Sequence, residues 1–161
     1  MNGRFYILCF VKTEYLKIIK KHKTTDPVEL CRLEHIICEE RDLHHELNGI
    51  YQYVARNRFI FINKNLTSVM KLFTYGHELG HAVLHTKRNF LFLKTRTAFN
   101  VNKFEREADI FSSLLLIPHL SKDMFEGKTI KEVAYELKVP EDILKIRLSI
   151  CDFGKEISNL H

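Results

Sequence analysis

The chain has 161 residues, 45% of them hydrophobic, which suits one ordinary domain with a real core, or one domain with a small appendage. Lysine and arginine outnumber aspartate and glutamate by only 25 to 20. The basic residues are scattered (Lys20, Lys21, Lys23, Lys87, Arg88, Lys94, Arg96) rather than massed, so most read as a solvated face, with a groove for an acidic or nucleic-acid partner as the alternative. The cysteines Cys9, Cys31, Cys38 and Cys151 form no C-x-x-C pair and are too sparse for a disulfide scaffold; buried thiols in a reducing compartment fit them.

The opening Phe5-Tyr6-Ile7-Leu8-Cys9-Phe10-Val11 is apolar but short, and Lys12 and Glu14 follow it at once. It cannot span a bilayer and lacks a small-residue cleavage site, so the expectation is a cytoplasmic protein with no membrane partner. Residues 1–25 read as a strand-like or early helical lead, then a basic helical stretch through Tyr15-Leu16-Lys17-Ile18-Ile19-Lys20. Thr25-Asp26-Pro27 is a helix start, with Asp26 as cap and Pro27 in the first turn. From Val28 to about Arg41, Val28, Leu30, Cys31, Leu33, Ile36 and Ile37 recur at helical spacing, and the seven-residue step from Cys31 to Cys38 fits the same helix. His35, His44 and His45 read as surface or core filler.

Asn48-Gly49 carries a turn signal. Residues 50–54 and 58–63 are rich in β-branched and aromatic side chains, and the polar bridge Ala55-Arg56-Asn57 predicts a hairpin between them. Stacking on single-stranded nucleic acid is open to such a hairpin. Packing on one face of a small sheet is the better reading.

Asn65-Leu66-Thr67-Ser68 is a capping cluster, and Met70, Phe73, Thr74, His77, His81 and Leu84 then follow a helical stripe. Within it His77, Glu78 and His81 spell H-E-x-x-H. Residues four apart on a helix differ by about 40° and rise about 6 Å, so His77 and His81 can address one Zn²⁺. Glu78 lies about 100° round, beside the metal without ligating it. Gly80 is a poor helix former, which is best explained by close approach of backbone or substrate. His85 continues the stripe but would sit about 12 Å along the axis from His77, so it reads as structural or as a support to the ligands.

A catalytic zinc needs a third protein ligand and one open position. The best candidate stretch is 104–118, where Phe104, Ala108, Phe111 and Leu115 form an apolar stripe ending at Pro118. Glu105 flanks it on the same side as Asp109, whereas Glu107 is about 200° away and cannot join Glu105 at one metal. Glu105 is the predicted ligand and Asp109 the predicted acceptor for a ligand imidazole N–H. Ala108 is small enough to let the two helices lie close.

These segments together resemble the ImmA/IrrE family of zinc metallopeptidases, bacterial proteins that phages and mobile elements often encode. The likeness runs over roughly residues 24–150 and includes Thr25-Asp26-Pro27, Arg58 to Asn63 followed by Asn65-Leu66, and Phe73-Thr74-x-x-His77-Glu78-Leu79-Gly80-His81-x-x-x-His85. It continues through Glu105-Arg106-Glu107-Ala108-Asp109-x-Phe111 and Leu115-Leu116-Ile117-Pro118. The resemblance implies that His77, His81 and Glu105 carry one Zn²⁺ and that Glu78 is the catalytic base. It also implies a protein substrate, a helix-turn-helix repressor whose cleavage relieves repression. Where the family often has Asn, this chain has Asp109, and residues 1–23 match no part of it.

Residues 129–148 read as two short helices, with Thr129 and Glu132 as a capping box. Pro140-Glu141-Asp142 places acid where DNA readout wants base, so a structural or substrate-docking pair is favoured over direct DNA binding. The expected fold is α+β and zincin-like, mostly helical with a small antiparallel sheet. It divides into a lead (1–23), a metallopeptidase domain (24–120) and a C-terminal helical segment (121–161). The rival reading is a non-catalytic regulator that binds a repressor or DNA through a protease-like fold.

Overall fold

The computed structural model describes residues 3–93 and 103–151, with side chains for 6–89 and 103–151. Lys94, Arg96 and the tail beyond 151 lie outside the described residues. The first element, α1 (Gly3–His22), is helical throughout, so of the two sequence readings of the lead, strand-like or early helical, the helical one holds and runs straight into the basic stretch. Burial decides: Val11 and Ile18, two turns apart, are 0% and 5% exposed, and Tyr15 sets its ring edge-on to Phe111.

Helix α2 (Pro27–Leu33) starts as the sequence predicts, with the Asp26 carboxylate accepting from the amides of Val28 and Glu29. It stops far short of Arg41. His35 takes a left-handed conformation (φ 55°), the Ile36 amide donates to the Cys31 carbonyl and the His35 amide to that of Arg32. This is a Schellman motif, with His35 in the place usually held by glycine. The chain then leaves as β1 (Ile37–Arg41), so Cys31 is on a helix and Cys38 on a strand.

Strands β2 (Leu47–Val54) and β3 (Asn57–Asn63) form the predicted antiparallel hairpin. Its two turn residues, Ala55 and Arg56, both have positive φ (49° and 66°), the type I′ pattern whose twist matches the strands. Asn48-Gly49 is not a turn but part of β2, at a bulge opposite β4 (Phe90–Leu93). The sheet order is β1-β3-β2-β4. It is mixed rather than purely antiparallel, because β1 adds parallel to β3. Ile60 and Ile62 face the core, while Phe59 stacks on Phe61 and the Arg41 guanidinium covers Phe61.

Helix α3 (Ser68–Leu84) is capped by Thr67, and α4 (Lys103–Leu116) crosses it. One apolar cluster joins α1, α2, the sheet, α3 and α4 through Val11, Leu30, Tyr51, Ile60, Leu79 and Phe111. A second gathers Phe73, Ile117, Phe125, Val133, Leu144 and Leu148 around α5 (Ile130–Glu136) and α6 (Glu141–Ser149). The capping box of Thr129 and Glu132 is present at the start of α5. The fold is α+β and mostly helical, and no described helix is long and apolar enough to cross a membrane.

Candidate metal centre

Helix α3 is buried nearly all round, against the sheet on one side and α4 on the other, and from Phe73 to Ala82 only Tyr75 is part-exposed. His77 and His81 are therefore 0% and 1% exposed, one turn apart, with their Nε2 atoms 3.1 Å from each other. What lets α4 reach them is the absence of side chains. A Cβ on Gly80 would lie 3.0 Å from the Ala108 Cα, and one on Gly76 would lie 2.5 Å from the Ser112 Oγ. Small residues on both helices bring the two backbones together and carry Glu105 to the histidines.

The Glu105 carboxylate spans the pair, with Oε2 3.4 Å from His77 Nε2 and Oε1 3.2 Å from His81 Nε2. A tetrahedral ion with bonds of about 2.0–2.1 Å has ligand–ligand edges of about 3.3 Å. The donor atoms already stand at that spacing, and the group His77, His81, Glu105 could hold a metal ion. Burial lowers the His77 imidazole, but hydrogen bonds to Asp109 and Glu105 outweigh it and bring His77 to about 9. For His81 burial prevails, to about 4. Burial raises Glu105, yet the two imidazoles reverse this and hold it well below the usual carboxylate range. A cation bound among these atoms would compete with protons for the same donors.

The surroundings of the donors are equally defined. His77 Nδ1 lies 2.9 Å from Asp109 Oδ1, one turn along α4 from Glu105. Glu78 is fully buried, and its carboxylate lies against the backbone of Gly49 in β2, where a Cβ would come within 2.8 Å of its Oε1. Sequence reasoning misses two features. Gly49 reads as a turn residue but serves as the space Glu78 occupies. Glu107, set aside because it cannot share a metal with Glu105, is 2% exposed and bonded to His85. The available signal was a histidine one turn past the H-E-x-x-H pair together with a second carboxylate on the helix that supplies the third ligand.

Comparison with known proteins identifies the family. The family model described as the IrrE N-terminal-like domain, a peptidase family, matches residues 35–149. The chain is 37% identical over 139 residues to uncharacterized immunity region protein 2 of Bacillus phage phi105, covering 85% of this chain and 88% of that protein. It is 27% identical over 145 residues to metallopeptidase ImmA of Bacillus subtilis (strain 168), covering 86% of this chain and 84% of that protein. With most of its length matched and a buried His-His-Glu group at the crossing of α3 and α4, the chain belongs to the IrrE N-terminal-like family of metallopeptidases.

Proposed function

We propose that this chain is a zinc-dependent endopeptidase that cleaves a helix-turn-helix repressor of a phage or mobile element and so relieves repression. The observation that carries the reading is the spacing of His77 Nε2, His81 Nε2 and the Glu105 carboxylate at 3.1–3.4 Å. Two imidazoles and one carboxylate, with no thiolate, make a donor set that suits zinc and leaves a fourth position open. A cation so held supplies a Lewis acid that acidifies water and polarises a carbonyl.

The chain's own residues do the rest. Glu78, buried beside His77 on the next position of α3, takes the proton of the attacking water and returns it to the leaving amine. Asp109 accepts the His77 Nδ1–H and so keeps the Nε2 lone pair aimed inward. The substrate class draws on the relatives, one named for a phage immunity region and one a metallopeptidase.

The test is incubation of the zinc-loaded chain with the helix-turn-helix protein encoded beside its gene, followed by mapping of new N-termini by mass spectrometry. Wild type should produce one, and Glu78→Gln should not. Cleavage by Glu78→Gln at the wild-type rate would overturn the assignment of the base. Tight binding with no cleavage by wild type would favour the non-catalytic regulator.

A further inference from the structure

Resting on the reading of His81 as a metal ligand, we infer that His85 and Glu107 are positioning residues that fix the tautomer of His81. Two contacts place them in series. His81 Nδ1 lies 3.3 Å from His85 Nδ1, and His85 Nε2 lies 2.7 Å from Glu107 Oε2. All three residues are buried, at 1%, 8% and 2% exposure.

The protons along this series have a single consistent arrangement with His81 able to bind. A carboxylate has no proton to give, so His85 must donate to Glu107 from Nε2. Neutral His85 then carries a lone pair on Nδ1. That lone pair faces His81 Nδ1, which must supply the proton between them, and this leaves His81 Nε2 unprotonated and facing His77 and Glu105. The reverse order would put a proton on His81 Nε2, in the space the metal takes. Glu107 thus selects, through His85, the form of His81 that binds.

The two ligand histidines are therefore supported differently. His77 meets the Asp109 carboxylate directly at 2.9 Å, and His81 meets a carboxylate through one intervening ring. Both supporting carboxylates come from α4, the helix that also carries the third ligand. Its acidic residues divide the work: Glu105 faces the donors, Asp109 backs His77, and Glu107 backs His85. The other Glu107 oxygen faces the Lys103 Nζ at 3.6 Å, which steadies the carboxylate from the solvent side.

The test compares wild type with His85→Phe, His85→Gln and Glu107→Gln, using zinc itself, competed against a chelator, and nitrogen-15 NMR of the imidazoles in the zinc-loaded protein. His85→Phe keeps a ring and removes the acceptor. It should weaken zinc about 10–100-fold, the usual scale when a ligand histidine loses its partner, and abolish the slowly exchanging His81 Nδ1–H signal. His85→Gln offers a carbonyl acceptor and should recover most of the affinity and the signal, which a purely space-filling role would not require. Glu107→Gln keeps an oxygen that can accept the His85 Nε2–H and should stay close to wild type, whereas Glu107→Ala, made alongside it, should fall toward His85→Phe. Wild-type affinity and an unchanged His81 signal in His85→Phe would overturn the inference; if that variant does not fold, the same result in Glu107→Ala, which leaves His85 no acceptor, would do so. His77→Ala separates the two claims: its loss of zinc upholds the site, whatever His85 does, and its retention of zinc overturns the site itself.

Discussion

Gly80 and Ala108 meet backbone to backbone, so closely that a Cβ on the glycine would stand 3.0 Å from the alanine Cα and 3.2 Å from its carbonyl oxygen. This contact sets the distance between α3 and α4, and with it the reach of Glu105 toward His77 and His81. Gly80→Val should force the helices apart, costing about 1–3 kcal/mol of stability by overpacking. Because Glu105 moves with α4, zinc affinity should fall too. Thermal melts with and without zinc, and chelator competition, read both effects; unchanged values would show that the crossing is not what positions Glu105.

Asp109 offers a graded test of ligand support. Asn keeps an oxygen that can accept the His77 Nδ1–H at the position now 2.9 Å away, and Ala keeps none. Asp109→Asn should therefore retain most of the zinc affinity, while Asp109→Ala loses about 10–100-fold. Equal losses in the two variants, measured by the same competition, would mean that charge rather than ring orientation is what Asp109 provides.

Gly49 separates chemistry from binding. A methyl group there would press on Thr74 Cγ2 at 2.6 Å and Glu78 Oε1 at 2.8 Å. Gly49→Ala should shift the Glu78 carboxylate while the metal donors, gathered where α3 meets α4, stay in place. Displacement of a catalytic group by about 1 Å can cost roughly a hundredfold in rate. The expected result is such a loss of peptide cleavage with zinc stoichiometry intact. Loss of zinc together with activity would contradict this division.

Glu34 makes stability depend on pH. Its carboxylate takes hydrogen bonds from His22 at 2.6 Å and Lys21 at 2.8 Å, with the Arg58 guanidinium beside it, tying α1 and α2 to β3. Burial raises Glu34, but these partners outweigh it and bring it from 4.5 down to about 2. A carboxylate lowered in the folded state stabilises above its unfolded value and loses that contribution as pH falls through its folded one. Wild type should be more stable than Glu34→Gln at neutral pH, and the gap should close between about pH 4.5 and 2. Melts in the presence of a chelator test this without interference from the metal site. A gap that stays constant across that range would rule out Glu34 as its source.

How far the molecule was legible in its sequence depended on whether the governing contact was local. Asp26-Pro27, Thr67 and the Thr129–Glu132 box act within one helical turn, and each caps the helix it predicts. The approach of Glu105 to the histidines was legible because helical spacing limits which carboxylates can face one point. The strand at Ile37–Arg41 was not, since its apolar residues fit a helix and the stop signal was a left-handed His35 rather than a glycine. Gly49 and Glu107 were misjudged for a common reason. Their partners, Glu78 and His85, come from α3 and its C-terminal cap, and nothing near them in the chain announces that contact.

Everything proposed for the site depends on His77, His81 and Glu105 holding one zinc ion. The most direct test is metal content by mass spectrometry, with affinity by chelator competition, for wild type and Glu105→Ala prepared side by side. One zinc per wild-type chain is expected, with a loss of at least about tenfold in affinity on removing Glu105. Stoichiometric zinc bound by Glu105→Ala as tightly as by wild type would contradict it.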